Sequence, residues 1–510
     1  MSGEERKFTQ IRNGGAIPLE SLPPWSVPDF ISQLGGSLGN GLRVVSYFGT
    51  PGAKAGETWL YAVLALDAEN KLFAGRTLVT EGGFPSLAVD YPQIQLFERE
   101  IAEQFGLVPS GHPWLKPVRY RRSWNGADAW NRPAGAEILP GAGNFFRVEG
   151  EEVHEVAVGP VHAGIIEPGH FRFQCHGENV MFLEIALGYQ HRGVEEAMLG
   201  GPDKRTLHFA ETLSGDSTIA HATVYSHLVE SLTKTKKNAR AQVINGVLLE
   251  LERLANHTGD IGALAGDAAY LPASSFCGRI RGDFLNMTAL VCGSRFGRGA
   301  VKPGGVGFDI DEAMRAELLR RLDAAEKDVV NAVNLVWDEQ SVVARFEKTG
   351  TLTREMALEL GVVGPAARAA GLSRDVRYDQ PLGIYRMVHV PVSTYDTGDV
   401  FARAYVRWME IRRSVEFIRD QLHSLPEGFR TALPGSIAKH SFAVALVEGW
   451  RGEVCHAAVT DGSGTFARYK VVDPSFHNWP ALAYVLRGQE ISDFPLCNKS
   501  FNLSYCGHDL

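Results

Sequence analysis

The sequence predicts an α+β protein, in which a small α+β module is followed by a mainly α-helical domain with small β-sheets. Two observations support this. The chain has 510 residues, 45% of them apolar, which is enough chain for two or more domains with proper cores. Short strand-like runs come early in the chain, and long amphipathic segments dominate the later part.

The first module, residues 1–122, is predicted to combine strands with one helix. Residues 1–31 are rich in Gly and Pro and are expected to start the module loosely. Residues 43–66 are predicted to form two strands around a Gly/Pro loop, and residues 71–79 a third strand. In residues 92–105 apolar side chains recur on one helical face, with charged side chains on the opposite, solvent-facing side.

The rest of the chain is divided into a linker and a larger domain. Residues 123–150 carry turn signals and no sustained period, which indicates a linker. Residues 151–510 form the second domain, which opens with a predicted strand pair at 152–158 and 171–175. Further periodic segments predict helices at 243–254, 311–336 and 399–422 and β-structure at 442–474.

Composition excludes several classes of protein. With 51 Lys and Arg against 59 Asp and Glu, the formal net charge is −8 and the basic residues are scattered. Binding nucleic acid requires a concentrated basic surface, so we expect no nucleic-acid partner. The six cysteines include no C-x-x-C pair. This excludes a zinc ribbon and a self-contained iron–sulfur cluster.

The amino terminus and the hydropathy pattern predict where the chain resides. Met1–Lys7 is charged where a signal peptide needs an apolar run. No stretch approaches the roughly 20 uncharged apolar residues of a spanning helix. We therefore expect a cytoplasmic chain that lies on the inner face of a membrane through partner subunits.

Generic nucleotide and hydrolase motifs are missing. The sequence contains no P-loop, no H-E-x-x-H and no G-x-S-x-G. Gly36–Gly41 is rich in glycine but lacks the strand, helix and acidic residue of a dinucleotide fingerprint, so a plain loop is predicted there. Autonomous NADH oxidation is therefore not expected.

Longer strings are more specific. The first module contains Glu98-Arg-Glu100, Phe105-Gly106 and Gly111-His-Pro113. The second domain contains Gly159-Pro-Val-His162, Gly188-Tyr189-x-His191-Arg192-Gly193-x-Glu195, Glu250-Leu-x-Arg253-Leu-x-Asn256-His257, Gly293-x-Arg295-Phe296, Gly304-Gly305-Val306, Tyr395-Asp-x-Gly398-Asp399-Val with Arg403, and Asp473-Pro-Ser-Phe-x-Asn478.

The first set resembles the small peripheral, C-type subunit of respiratory complex I. The second set, in the same order, resembles the large subunit shared by complex I (the D-type subunit) and the group 4 NiFe-hydrogenases. The match covers about residues 45–120 and 155–510, in the fused arrangement of formate hydrogenlyase large subunits. The resemblance implies a subunit of an oxidoreductase complex, with quinone binding and, at the family level only, NAD binding.

The departures from the family pattern concern the metal. The resemblance implies that hydrogenases hold nickel and iron on four thiolates from two C-x-x-C pairs, which oxygen donors would not reproduce. The aligned positions here are Ser214-Gly-Asp-Ser217 and Ser504-Tyr-Cys-Gly507. Ser214, Ser217, Ser504 and Gly507 thus replace the cysteines, and Cys506 is one position away from a ligand. We predict that this chain holds no NiFe centre.

The resemblance also assigns roles to residues around that position. Arg192-Gly-Val-Glu195 matches the hydrogenase R-G-x-E motif, whose Glu passes protons. Burial raises the proton affinity of a carboxylate, so Glu195, with Arg192 and His162, is predicted as a proton relay or acceptor site. The alternative is an Arg192–Glu195 ion pair that braces a helix terminus. The residues alone leave both interpretations open.

Three histidines are predicted near an electron acceptor. His162 and His170 lie in the hairpin region that, in complex I, approaches the quinone head group, and His is a natural donor to a quinone oxygen near neutral pH. His221, close to the first aligned serine pair, is assigned to the same quinone-like cavity. For His162 and His170 the alternative is a turn histidine bonded to backbone, which we prefer for His170.

Two other polar sets are interpreted as structural. Arg253, Asn256 and His257 share a helical face, a pattern that more often joins helices than catalyses. Asp396 and Asp399 are predicted to cap the helix that follows them, because Asp near an N-terminus satisfies free backbone N–H groups.

Two functions remain at this stage. The first is a metal-free large subunit that passes electrons from the cluster of an iron–sulfur small subunit to a quinone-like acceptor, coupled to proton movement. The second is a non-catalytic coupling subunit of the same kind of assembly. Both imply an iron–sulfur small subunit, other hydrophilic-arm subunits and antiporter-like membrane subunits as partners. The small subunit is expected to cover residues 214–227 and 494–510.

Overall fold

The structure, a computed structural model, describes residues 8–133, 135–141, 143–162, 166–429 and 431–510. Met1–Lys7, on which the localisation prediction partly rests, lies outside the described residues. Within the described ranges, no helix combines the length and the apolar character needed to cross a bilayer.

The first module is a twisted sheet with two helices. Its elements are β1 (Thr9–Ile11), β2 (Gly15–Pro18), β3 (Pro24–Trp25), α1 (Val27–Gly39), β4 (Arg43–Pro51), β5 (Thr58–Leu66), β6 (Lys71–Val79), β7 (Gly83–Pro85), α2 (Gln95–Phe105) and β8 (Val108–Ser110). The antiparallel order is β1-β6-β5-β4, and β3 pairs with β6 in parallel. The predicted strands at 43–66 and 71–79 and the predicted helix at 92–105 are confirmed.

Helix α1 corrects the loop predicted for Gly36–Gly41, since the helix continues to Gly39. Ser26 supplies the N-cap, which accepts a hydrogen bond from the first turn. The glycines allow close packing: a Cβ at Gly39 would lie 3.0 Å from the hydroxyl of Tyr91. The missing side chains thus serve helix packing rather than a turn.

The charged face of α2 is a second correction. The helical period places Glu98, Glu100 and Glu103 on the solvent side, yet all three are buried. Glu100 is paired with Lys470, whose Nζ lies 2.6 Å away on a strand near the carboxyl end of the chain. Charges that look solvent-facing within one helix are therefore satisfied across the molecule.

The second domain is mainly helical. Its elements are β9 (Val153–Val158), β10 (His170–His176), β11 (Asn179–Ala186), α3 (Val194–Ala197), α4 (Thr206–Glu211), α5 (Thr218–Thr233), α6 (Ala239–Asp267), α7 (Leu271–Cys292), β12 (Val301–Lys302), β13 (Gly305–Val306), α8 (Glu312–Asp338), α9 (Gln340–Phe346), α10 (Arg354–Glu359), α11 (Gly364–Ala369), α12 (Val376–Asp379), α13 (Val400–His423), β14 (Ser441–Gly449), β15 (Gly452–Thr460), β16 (Phe466–Val472), α14 (Pro474–Val485), α15 (Phe494–Phe501) and α16 (Tyr505–Asp509).

The long helices occur where the periodicity predicts them. Helices α6, α8 and α13 contain the predicted segments, and α6 packs along both α7 and α13. The predicted strand pair is β9 and β10, to which the structure adds the edge strand β11. The described residues of 123–150 form neither helix nor strand. The mixture of helices with small sheets agrees with the predicted α+β class.

A strand from the first module crosses into the second domain. Strand β2 pairs antiparallel with β14 and extends the sheet β16-β15-β14. Phe442, Val444 and Phe476 also pack with the side chains of the first module. The boundaries at 122 and 151 stay a prediction, but the two parts share one sheet and one apolar cluster.

The faces expected to contact a small subunit are largely internal. Helix α5 is buried along most of its length, against α4 and strand β14. The final segment from Leu503 to Leu510 is buried as well, apart from the half-exposed Cys506. Only the rim around Gly215 and Arg192 is exposed. A partner at this end of the molecule would therefore contact the rim.

Candidate functional site

The four positions aligned with metal-binding cysteines come together in space. Ser214 precedes α5, and Ser504 is the N-cap of the last helix, α16. Their hydroxyl oxygens lie 2.9 Å apart in a hydrogen bond. The backbone N–H of Gly507 donates to Ser504 Oγ at 2.9 Å. The alignment made from sequence thus selects positions that meet at one point, although they are far apart along the chain.

A guanidinium occupies the same cluster. Arg451, from the turn between β14 and β15, donates to Asp216 Oδ2 at 2.8 Å. Its Nη1 lies 3.4 Å from Ser214 Oγ and 3.3 Å from Ser217 Oγ. Burial alone would lower the pKa of Arg451, but the Asp216 carboxylate outweighs it and the pKa is raised. A fixed positive charge therefore lies among the aligned serines.

These residues do not fit a NiFe centre. Hydroxyls replace soft thiolates, and the guanidinium of Arg451 would repel a metal cation. A side chain at Gly507 is also excluded, because a Cβ there would lie 2.7 Å from the carboxyl group of Asp473. In the described parts of the chain, no group of three or more His, Cys, Asp or Glu side chains is arranged to hold a metal ion.

Glu195 is buried in an ion network on the inner side of this cluster. Its carboxylate accepts from Arg468 Nη2 at 2.9 Å and from the backbone N–H of Val471 at 3.0 Å, with Lys470 Nζ at 3.1 Å. Burial raises the pKa of a carboxyl group, but the two cations outweigh it and hold the pKa of Glu195 well below its ordinary value. The geometry is that of a permanently ionised anchor.

Arg192 does not pair with Glu195, which corrects the alternative interpretation of the R-G-x-E motif. Its guanidinium donates to the carbonyls of Thr212 at 2.7 Å and Leu213 at 2.9 Å, and lies 3.4 Å from that of Cys506. Arg192 therefore ties the segment before Ser214 to the last helix, and so holds the two halves of the serine cluster together.

His162 and His170 both bond to the backbone of the β9–β10 hairpin. His162 Nε2 lies 2.8 Å from the carbonyl of Gly169. His170 Nδ1 lies 3.1 Å from the carbonyl of Gly159, and its Nε2 accepts from Arg172 at 3.2 Å. Both ring nitrogens of His170 are therefore engaged. His162 retains Nδ1, which is a donor only in the imidazolium form.

His221 belongs to a buried hydrogen-bonded chain that sequence reasoning missed. His221 Nε2 lies 3.1 Å from Asp473 Oδ2, and Nδ1 lies 3.1 Å from His456 Nε2. His456 Nδ1 lies 2.7 Å from the hydroxyl of Tyr469. Burial keeps the pKa of His456 well below its ordinary value, so this imidazole is neutral. The donors then run in one direction, from Tyr469 through both imidazoles to Asp473.

The chain of hydrogen bonds ends at the serine cluster. The Asp473 carboxyl group is the one that approaches Gly507, and its Oδ1 accepts from the backbone N–H of Ser475 at 2.8 Å. Burial would raise the pKa of Asp473, but its contacts with His221 and the charge of Arg451 hold the pKa below its ordinary value. No local spacing connects His221, His456 and Asp473, which is why the sequence did not reveal them as a set.

The structural sets behave as predicted in part. Arg253 donates to the carbonyls of Gly449 at 3.0 Å and Glu448 at 2.9 Å, and His257 lies 2.8 Å from Glu410 on α13. The prediction that this face joins elements is confirmed. Asp399 is the N-cap of α13, as predicted, whereas Asp396 lies outside the cap and is exposed.

Comparison with known proteins places this geometry in a family. The family described as respiratory-chain NADH dehydrogenase, 49 Kd subunit, matches residues 267–439 and 429–509. Formate hydrogenlyase subunit 5 of Escherichia coli is 28% identical over 465 residues, or 88% of this chain and 81% of the relative.

Two further relatives come from both branches of the resemblance. Hydrogenase-4 component G of Escherichia coli is 28% identical, over 88% of this chain and 78% of its own length. The D 2 subunit of NADH-quinone oxidoreductase from Herpetosiphon aurantiacus is 29% identical, over 66% and 94% respectively. The chain is therefore a member of the family that unites the group 4 hydrogenase large subunits with the D-type subunits of complex I-type dehydrogenases.

Proposed function

We propose that this chain is the large subunit of a membrane-associated oxidoreductase assembly in which the position of the NiFe centre is a metal-free polar cluster. The arrangement of Arg451 among Ser214, Ser217 and Asp216 carries the proposal. A cation fixed by its own counter-charge cannot make way for a metal without leaving a buried charge unpaired. The fourth aligned position, Gly507, has no room for a thiolate side chain.

In this proposal the assembly transfers electrons from the cluster of an iron–sulfur small subunit to a quinone-like acceptor. The chain itself has no C-x-x-C pair for a cluster, so the electrons must come from a partner. The relatives named as D-type subunits of NADH-quinone oxidoreductases support a quinone as the acceptor. Antiporter-like and other hydrophilic-arm subunits would attach the assembly to the inner face of the membrane.

Protons for such a reaction are better supplied by the His221 chain than by Glu195. Asp473 and His221 lie beside the serine cluster and are linked by hydrogen bonds to His456 and Tyr469. A proton can move along aligned donors without a change in the fold. Glu195 is held ionised by Arg468 and Lys470, which opposes a cycle of protonation. The relay role of Glu195 stays a prediction that its Gln variant tests.

A second function, that of a non-catalytic coupling subunit, is favoured by one observation. Both histidines of the hairpin bond to backbone carbonyls, and His170 has no ring nitrogen left for an acceptor. Under this alternative the ion network would transmit conformational events from one part of the chain to another, and no substrate would be bound.

The test is co-expression of the chain with an iron–sulfur small subunit and the hydrogenase maturation proteins. We expect a stoichiometric complex in which nickel is absent and all iron is accounted for by clusters. Near-equal nickel per chain would overturn the metal-free proposal. Quinone reduction by the complex, measured with menadione, supports the first function, and a complex that forms but never reduces menadione supports the second.

A further inference from the structure

A cavity of about 430 Å³ lies where the first module meets the second domain, away from the serine cluster. Helix α2 and residues 114–120 form one wall, and the edge strand β11 with helices α10 and α14 forms the rest. A volume of this size suits a small organic ligand. None of the aligned cysteine positions, Arg451 or Glu195 lines it, so what binds here does not depend on the proposed electron transfer.

The walls favour a planar, apolar body. Aromatic rings line the cavity on several sides, contributed by Trp114, Phe182, Trp479 and Tyr484. Aliphatic side chains such as Leu360 fill the gaps between them. Ligand cavities of this kind take most of their affinity from apolar contact and their specificity from a few polar groups.

The polar groups are mainly cationic. The Arg99 guanidinium donates to the backbone carbonyls of Lys116 and Pro117, each at 2.8 Å, and Arg487 lies over the ring of Phe182 at 5.2 Å. Within the described residues neither arginine has a carboxylate at ion-pair distance. Burial lowers the pKa of Arg99, so an added anion would stabilise its charged form.

The other charged groups leave a net positive cavity. Lys116 is neutralised by Glu184, with Nζ 2.6 Å from Oε1. Glu359 is exposed at the rim, so three cations face two carboxylates in all. Trp479 adds a donor: its indole Nε1 is buried and has no hydrogen-bond partner in the described structure. Buried donors are normally paired, and a ligand oxygen would pair this one.

We propose that this cavity binds a small aromatic organic acid, with its ring between the aromatic walls and its carboxylate on the unpaired arginines. A planar guanidinium and a carboxylate form a bidentate pair, which gives the charge preference. Arg487 is placed to contact the carboxylate from the rim, and Arg99 from the interior.

The proposal is tested by calorimetric titration of the full chain with 2-naphthoate and, separately, with the uncharged 2-naphthylmethanol. We expect 2-naphthoate to bind more tightly. Arg487→Gln should weaken 2-naphthoate about tenfold, the effect of one lost charge-assisted hydrogen bond, and should leave 2-naphthylmethanol unchanged. Arg320→Gln, at an exposed position on α8, is the matched control and should change neither ligand.

A second variant tests the location. Ala483, which lines the cavity, is changed to Phe, and the exposed Ala316 of α8 is changed to Phe as its control. Ala483→Phe should abolish binding of both ligands, with its fold verified by an unchanged thermal midpoint without ligand. If that variant misfolds, the milder Ala483→Leu replaces it. Equal affinity for the acid and the alcohol, or binding that survives both cavity variants, would overturn the proposal.

Discussion

Changing Glu195 to Gln is expected to destabilise the fold strongly. The carboxylate is surrounded by three donors: Arg468, Lys470 and the backbone N–H of Val471. The amide of Gln has one acceptor oxygen, so its NH₂ group must face a cationic donor. Removing one partner of a buried ion pair costs about 3–5 kcal/mol, and we expect the free energy of unfolding to fall by that amount.

The measurement is urea unfolding of the full chain at neutral pH, with the neighbouring Glu196→Gln as control. The Glu196 side chain is 61% exposed and lies 3.2 Å from Arg121, so its loss should change the free energy of unfolding by less than about 1 kcal/mol. Equal unfolding midpoints for the two variants would refute the buried network.

The pH dependence gives an independent check. The folded pKa of Glu195 lies below its unfolded value of about 4.3, so its contribution is fully present above that pH. The contribution is lost as the pH falls further, through the folded pKa. The stability difference between wild type and Glu195→Gln should therefore stay constant from neutral pH down to about pH 5 and shrink below it. A difference that grows on acidification would contradict the assigned direction.

Three smaller predictions use the same unfolding assay. Asp399→Ala should cost about 1–2 kcal/mol through loss of the α13 cap, while Asp396→Ala should have little effect. Gly507→Ala should cost about 1–3 kcal/mol, because its Cβ would lie 2.7 Å from a buried carboxyl group, whereas Gly278→Ala, in a helix with open space around it, should be neutral or stabilising. Arg451→Lys should cost about 1–3 kcal/mol, because an ammonium cannot reproduce the bidentate pair that the guanidinium makes.

Elements set by local pattern could be predicted from the sequence. Strands β4, β5 and β6 and helices α6, α8 and α13 each carry their own apolar periodicity, which depends on the residues within the element. Helix α1 was missed because its glycines suggested a turn, although they let the helix pack near Tyr91. Glycine supplies close approach as well as flexibility, and the sequence does not distinguish the two.

Features set by distant contacts could not be predicted. The carboxylates of α2 resemble a solvent face until Lys470, far along the chain, is brought against Glu100. Strand β2 has no signal for its pairing with β14, since backbone hydrogen bonds carry no sequence code.

The candidate site divides in the same way. The family resemblance selected Ser214 and Ser504, whose hydroxyls do meet. It did not select Arg451, which occupies the cluster, or Asp473, which ends the His221 chain. Both are contributed by elements remote in sequence, and their roles depend on charges that only the folded chain brings together.

The ion network also decides how Glu195 can act in the assembled complex. A proton carrier must visit its protonated form in every cycle, and protonating Glu195 would leave Arg468 and Lys470 without their counter-charge in a buried place. We therefore expect Glu195→Gln to lower the stability of the subunit while the assembled complex keeps its turnover with menadione. His221→Phe, which breaks the link to Asp473, should instead reduce turnover in a complex that still assembles. The opposite pattern, normal stability and lost turnover in Glu195→Gln, would return the relay to Glu195 and reject the role given to the His221 chain.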